Sequence, residues 1–343
     1  MRLPNWVGDV VMATPALRAL RRAAPNAEVV VLGTPAAGRL LAGSTSFDRF
    51  FALERSGRHG GWFGWWRAGR ELAADGPLDL HLLLPHSLSS ALLALASRAR
   101  CRAGYASRER AALLHVKPRA AMAGKRRLPI PMTRLYLDLL RALGIDASDE
   151  QLDLPLSPQE QERGDAALAA LGIGRDERFV AANPGAAFGA SKFWSIDGFA
   201  ATIAGLREQH GLRTLVLCGP GEESLAHAVA AAAGPAAIDS SRQVLPLELL
   251  KPVLRRCALL VTTDTGPRHI ATAFGTPCVV LMGPTDPRHT ASNLGRTRVL
   301  RVDVPCGPCH LKTCPLDHRC MTSLTPAMAL AAAAELLSAP TAA

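Results

Sequence analysis

The apolar run Ala258-Leu259-Leu260-Val261 stops at Thr262-Thr263-Asp264-Thr265-Gly266 and is followed at once by Pro267. That junction confines the fold. The run suits a strand buried on both faces, and proline fits the first turn of a helix, where its missing N–H leaves no bond unmade. A strand, a short polar turn and a helix in succession put backbone N–H groups and the positive end of a helix dipole at the carboxyl edge of a sheet. Open α/β sheets bind anionic ligands, phosphates above all, at such edges. Asp264 and His269 add a carboxylate and an imidazole to the same rim, and Gly266 lets the backbone approach a ligand closely.

The same alternation runs the length of the chain, which argues for parallel α/β layers. Strands are expected at 27–32, 79–84 and 102–105, then at 179–183, 214–218, 236–239, 258–262 and 277–282. Helices are expected at 14–24, 66–74, 89–99 and 132–143. A Pro- and Asp-rich passage, 146–157, reads as a linker. Two domains follow: residues 1–150, and residues 158–325 with a final helical segment and tail, 326–343. At 343 residues the chain is long enough for both to have cores. Only Met1-Arg2-Leu3 precedes Pro4, so the first domain is expected either to lack most of its central strand or to have its true start upstream. The second option is preferred, because a missing central strand leaves two neighbours unpaired.

Composition narrows the setting. Hydrophobic residues make up 48% of the chain, as in a globular protein. No apolar run approaches the roughly 18 residues of a membrane span, and Trp6-Val7-Gly8-Asp9 interrupts any signal-peptide core, so a cytoplasmic protein is expected. The formal charge is +10. Arg98, Arg100, Arg102, Arg108, Arg110, Lys117, Arg119, Lys125, Arg126 and Arg127 crowd the first half. Such a field favours an anionic partner such as nucleic acid, a phosphorylated glycolipid or an acidic membrane face; a solvated, Arg-biased surface is the plainer account. Aromatic residues are only 5% and no nucleic-acid motif accompanies the charge, so nucleic acid is not an expected partner.

Two further segments sharpen the reading. Pro4-Asn5-Trp6-Val7-Gly8-Asp9-Val10-Val11-Met12-Ala13-Thr14-Pro15 stands near the N-terminus, and Asn183-Pro184-Gly185-Ala186-Ala187-Phe188-Gly189-Ala190-Ser191-Lys192-Phe193-Trp194 stands mid-chain. With the Asp264 junction, these three motifs resemble the ADP-heptose:lipopolysaccharide heptosyltransferases, glycosyltransferase family 9, and most nearly the heptosyltransferase II branch. The resemblance runs from about Pro4 to about Leu337, in order and spacing. It implies a GT-B fold, α/β, with two Rossmann-like domains whose parallel sheets face each other across a cleft. It also implies that the last helix packs back toward the first domain.

The implied activity is inverting transfer of heptose from ADP-heptose to the lipopolysaccharide inner core, by a protein peripheral to the anionic face of the inner membrane. By the same resemblance Asp9 is the general base that takes the acceptor proton, the alternative being a helix N-cap. Lys192, in a small-residue loop, neutralises the diphosphate leaving group; an exposed loop lysine is the alternative. Gly185, Asp264, Thr265, Gly266 and His269 belong to the donor site, with a buried structural histidine the alternative for His269. Glu222, after Cys218-Gly219-Pro220-Gly221, suits a ribose diol, or with Glu223 the first turn of a helix. The base is expected against residues 242–247, and the loop 86–90 faces the acceptor.

No cofactor is expected, and the chain has no Asp-x-Asp pair of the kind that holds a diphosphate through a divalent ion. Cys306, Cys309, Cys314 and Cys320, with His310 and His318 among them, could hold a structural zinc, although their spacing is not that of paired C-x2-C knuckles. The cluster Trp62, Phe63, Trp65 and Trp66 reads first as helix packing, with a membrane interface as the other reading. Rival functions are transfer of another nucleotide sugar, a non-catalytic nucleotide-sugar-binding protein, and a basic, zinc-bearing nucleic-acid module.

Overall fold

In the computed structural model, residues 1–123 and 126–339 are described. Lys125, among the basic residues named above, lies outside them, as does the tail from residue 340. The chain divides into two compact units, residues 1–155 with 288–292, and residues 156–287 with 293–343. The boundary falls inside the Pro- and Asp-rich passage.

The first unit is built on short parallel strands: β1 (Val30–Gly33), β2 (Arg49–Ala52), β3 (Leu80–Leu83) and β4 (Cys101–Gly104), with β1 paired to β2 and β3 to β4. The place between β1 and β3 is not empty. Arg2 bridges Leu32 on one side and Leu83 on the other, both in parallel sense. The Arg2 amide donates to the Leu82 carbonyl at 2.7 Å, and the Leu3 amide to the Leu32 carbonyl at 2.8 Å. The first three residues thus stand in the place of the central strand between β1 and β3. Around this sheet lie α1 (Val7–Met12), α2 (Thr14–Ala23), α3 (Pro35–Leu40), α4 (Gly64–Leu72), α5 (Leu88–Ala96) and α6 (Met132–Arg141). A two-residue antiparallel pair, β5 (Met122–Ala123) and β6 (Arg126–Arg127), is an outlying feature.

Several of the crowded basic residues are scaffolding rather than an open anion-binding face. Arg110 is fully buried and donates to the Pro85 carbonyl at 2.6 Å. Arg102 donates to the carbonyls of Leu113 and Ala99, and Arg100 pairs with Asp79 at 2.9 Å.

The second unit carries a six-stranded, wholly parallel sheet: β7 (Phe179–Asn183), β8 (Arg213–Val216), β9 (Ala237–Asp239), β10 (Leu259–Thr263), β11 (Cys278–Leu281) and β12 (Thr297–Leu300). Its strand order is β12-β11-β10-β7-β8-β9. The chain starts in the middle, builds outward one way, then crosses back and builds the other way. Such an order creates a switch point between β7 and β10, where the loops diverge and leave a crevice at the carboxyl edge. Both strands are buried at every position, as parallel strands covered by helices on both faces must be.

The covering helices are α7 (Pro158–Ala170), α8 (Ile196–His210), α9 (Glu223–Ala233), α10 (Leu247–Arg256), α11 (Gly266–Ala273), the short α12 (Arg319–Thr322) and α13 (Pro326–Ser338). Their ends are written in the sequence. Ser157 and Glu160 form a reciprocal capping box with Pro158 in the first turn of α7. Ser195 caps α8, and Gly211 ends it in the left-handed conformation at φ 70°.

The last helix, α13, belongs to the second unit. Its Ala329, Ala332, Ala333 and Leu336 are buried in the core that holds Phe199, Ile203 and Leu206 of α8. A face of alanines lets two helices approach closely, and Gly205 of α8 receives Leu330: a Cβ there would stand 2.6 Å from a Leu330 methyl carbon. Among the described residues no helix is long and apolar enough to cross a membrane.

Candidate active site

Three consecutive strands of the second sheet, β10, β7 and β8, end in the loops that carry the expected donor-site residues. After β7 come Gly185 and the turn holding Lys192; after β8 come Gly219 and Glu222; after β10 come Asp264, Thr265 and the start of α11. The sheet order brings together segments that are some 40 residues apart in sequence.

At the centre lies the Asp264 carboxylate, buried with 8% of its surface exposed. One oxygen, Oδ1, accepts from the Arg268 guanidinium at 2.7 Å. The other, Oδ2, accepts from the Lys192 ammonium at 3.1 Å and from the Thr285 hydroxyl at 2.9 Å. Lys192 also donates to the Asp264 carbonyl and lies 5.0 Å from the centre of the Phe188 ring. Burial alone would raise the Asp264 pKa. The Lys192 and Arg268 charges, the field of His269 and the Thr285 hydrogen bond outweigh it, and the carboxyl is held well below the usual carboxylate range. Desolvated ion pairs survive only when the partners also satisfy the remaining lone pairs, and Asp264 meets that condition on both oxygens.

His269, in the first turn and a half of α11, is buried. Burial and the neighbouring Arg268 and Lys192 charges, against the opposing pull of Asp264, push its pKa down to about 3. It is therefore a neutral imidazole at ordinary pH. The alternative reading of Lys192 was an exposed loop lysine. Lys192 is instead 9% exposed on a short 3-10 turn, because its charge is matched by Asp264.

That turn is stitched to the cysteine segment. The Ser191 amide donates to the Lys312 carbonyl at 3.0 Å, the Ser191 hydroxyl donates to the Leu311 carbonyl, and His318 Nε2 donates to the Ser191 carbonyl at 2.7 Å. Cys306, Cys309, Cys314 and Cys320 are all free thiols and line one small pocket beside Ser191 and His318. Among the described residues, however, no three His, Cys, Asp or Glu side chains are arranged to hold an ion. The segment braces the Lys192 turn through backbone carbonyls and one imidazole.

Glu222 sits at the N-cap of α9, where its Oε2 accepts from the Gly219 amide at 2.9 Å. Its carboxylate lies over Gly185: a Cβ on that glycine would fall 2.1 Å from Glu222 Oε2. Gly185 thus leaves room for the Glu222 carboxylate, and the two expected donor residues share one spot. Asn183 fixes this floor, donating from Nδ2 to the Gly185 carbonyl at 3.1 Å and toward Thr265 Oγ1 at 3.4 Å. Glu223 lies in the first turn of α9.

Asp9 belongs to the first unit. It was expected in the turn ahead of a helix but lies inside one, in the first turn of α1, whose N-cap is Trp6. The capping alternative therefore falls away. Asp9 is half-buried, and its charge, after burial, helps raise the Tyr136 phenol well above its ordinary range.

Residues 65–320 match the family model described as glycosyltransferase family 9 (heptosyltransferase). The chain belongs to glycosyltransferase family 9. Among the family's characterised members, the lipooligosaccharide heptosyltransferase 2 of Campylobacter jejuni is 24% identical over 336 residues, 95% of each chain. The crystal structure of the glycosyl transferase family 9 from Veillonella parvula superposes with a TM-score of 0.79 at 22% identity, over 98% of this chain and 95% of that one. The structure of Escherichia coli ADP-heptose lps heptosyltransferase II gives 0.78 at 22%, over 98% and 97%. The fold is accordingly the α/β GT-B fold of this family, and the protein is a glycosyltransferase of the heptosyltransferase type.

Arg268 and Thr285 were not singled out in the sequence as ligands of Asp264. The Asp264/Arg268 pair at i,i+4 was a legible signal, since residues four apart meet on a helix face. Thr285, in the Gly283-Pro284-Thr285-Asp286 turn, gave none; only the pairing of β10 with β11 brings it to Asp264.

Proposed function

We propose that this protein transfers heptose from ADP-heptose to the inner core of lipopolysaccharide, inverting the anomeric carbon and using no divalent metal. Family membership and the names of its relatives support the donor and acceptor classes. The observation that carries the reading is the Lys192–Asp264–Arg268 cluster at the switch point. A buried ammonium is held ready beside a helix N-terminus, where the diphosphate of a nucleotide sugar is best accommodated.

In this scheme Asp9 removes the proton from the acceptor hydroxyl as that oxygen attacks the anomeric carbon. The bond from that carbon to the diphosphate oxygen breaks, and ADP departs with the electron pair. Lys192 swings from Asp264 to the diphosphate, and the amides of Thr265 and Gly266 take further phosphate oxygens. Asp264 tolerates that exchange because Arg268 and Thr285 remain on it. Gly185 and Glu222 receive the ribose, Glu222 accepting from its hydroxyls, while neutral His269 donates to the donor without adding a competing charge. No cofactor takes part and no nucleic acid is bound. The protein acts in the cytoplasm, peripheral to the anionic face of the inner membrane, where its acceptor resides.

The test is ADP release from ADP-heptose, with and without a heptosylated Kdo–lipid A acceptor, in EDTA. Acceptor-dependent release is expected, and Asp9→Asn should lower it on the order of 10²–10⁴-fold with donor binding unchanged. Donor binding without acceptor-dependent release would leave a binding-only protein. Release that requires a divalent ion would end the metal-free mechanism.

A further inference from the structure

The turn between β2 and α4 displays two large aromatic side chains to solvent. Trp62 is 91% exposed and Phe63 74%, with Trp66 beside them at 42%. Helix packing accounts for only part of the cluster: Trp65 is half-buried against the core of the first unit and meets Trp66 edge-on, ring centres 5.7 Å apart.

The turn is anchored, not loose. His59 beneath it is buried; its Nδ1 accepts from the Glu54 amide at 3.1 Å and its Nε2 donates to the Glu71 carboxylate at 3.0 Å. Arg67 donates to the Arg58 carbonyl at 2.6 Å. Gly64 admits no side chain, since a Cβ there would stand 1.9 Å from the His59 carbonyl oxygen. A chain that pins a turn this firmly and leaves its aromatic tip in water is presenting that tip.

The charge around the tip is mainly basic. Residues 55–70 contain Arg55, Arg58, Arg67 and Arg70, all exposed, and of the bordering carboxylates Glu54 and Glu71 the second is taken up by Arg58 and His59, each at 3.0 Å. A pocket lined by Arg2, Asn5, Arg55, Ser87 and Ser89, with no Asp or Glu in its lining, shares Gly61 and Trp65 with the turn. Tryptophan and phenylalanine partition into the headgroup layer of a bilayer, and flanking arginines add attraction to anionic lipid that salt screens.

We propose that the Trp62–Phe63 turn is the surface by which this protein docks on an anionic bilayer, its two rings entering the headgroup layer while Arg55, Arg67 and Arg70 meet lipid phosphates. The proposal rests on the reading of a lipid-borne acceptor given above and locates the contact with the membrane. The Arg2–Arg55 pocket lies against the docked surface, where the acidic end of a lipid-linked sugar would meet it.

The test is co-sedimentation of the full-length protein with vesicles of phosphatidylethanolamine and phosphatidylglycerol at 3:1, and with phosphatidylcholine alone. Wild type should bind the first, weakly bind the second, and leave the first in high salt. The Trp62→Ser/Phe63→Ser protein should bind at least tenfold more weakly with an unchanged melting temperature, and Trp62→Leu/Phe63→Leu should recover part of the binding. Transfer to a deacylated, water-soluble acceptor should be equal in wild type and the serine variant, and transfer to vesicle-borne acceptor should fall with binding. Failure of wild type to bind anionic vesicles, or equal binding by the serine variant, would overturn the proposal. Wild type that binds vesicles but glycosylates neither acceptor would support the docking surface and count against the substrate reading.

Discussion

Asp9 and Asp264 are both carboxylates at the opening of a helix, one in each unit, and their surroundings give them different chemistry. Asp264 is enclosed: a guanidinium, an ammonium and a hydroxyl occupy its two oxygens, and it is held ionised far below the pH at which carboxylates ordinarily titrate. A carboxylate so stabilised is a poor proton acceptor, because basicity falls with pKa. Asp9 is half-buried in the first turn of α1, beside the Tyr136 phenol. Under the proposed mechanism the anion in the second unit organises charge and the one in the first unit moves protons. Two like residues diverge through environment alone.

The largest effect that would sharpen this contrast is on Lys192 and Arg268, which share one carboxylate but should fail differently. Lys192→Ala should lower kcat on the order of 10²–10³-fold, as expected when charge stabilisation of a leaving group is removed, with little loss of stability. Arg268→Met should cost stability first, at the low end of about 3–5 kcal/mol, because a buried carboxylate loses its firmest partner while Lys192 and Thr285 remain. Steady-state kinetics and thermal melts on both variants decide it. Equal kinetic loss from both, without a difference in melting temperature, would break the division of labour.

A smaller effect concerns pH. His269 takes up its proton near 6.5 in the unfolded chain but only near 3 in the folded one. Between those values the unfolded state binds the extra proton, so stability is fully present above about pH 6.5 and is lost as pH falls toward 3. The melting temperature should therefore decline from pH 7 to pH 5, and His269→Asn should flatten that decline. An unchanged slope in the variant would mean that carboxylates elsewhere, not this imidazole, set acid sensitivity.

The smallest expected change is at the Gly185–Glu222 contact. Gly185→Ala forces the Glu222 carboxylate aside, a movement of the end of a flexible side chain that should be inexpensive to the fold. The donor KM should rise several-fold with kcat nearly unchanged, the pattern of lost uniform binding. A fall in kcat with constant KM would remove Glu222 from the ground-state donor site.

Much of the second unit was legible because its strands are continuous apolar runs ending in Gly, Pro, Ser or Asp. The strand expected at 179–183 is found there unchanged, and those at 258–262 and 277–282 are found within a residue or so at each end. The first unit was harder. Arg49–Ala52 is half-exposed, with an Arg-Phe-Phe-Ala sequence that carries no clear period. In the second unit β12, Thr297–Leu300, was as hard to see, being an edge strand of mixed burial. Short strands with little apolar periodicity leave pairing to neighbours distant in the chain.

The sequence by itself determined where strands end and helices begin, because proline, glycine and capping residues act over three or four positions. It also marked Asp264, Lys192, Gly185 and Glu222 as residues at sheet edges. Only the tertiary structure decided which of them meet. The order β12-β11-β10-β7-β8-β9 sets the loops after β7, β8 and β10 side by side, which puts Lys192 against Asp264 and Glu222 over Gly185. Whether a lysine is a mobile surface charge or a buried counter-ion depends on what lies a few ångströms away, and strand order, which local sequence does not encode, settles that distance.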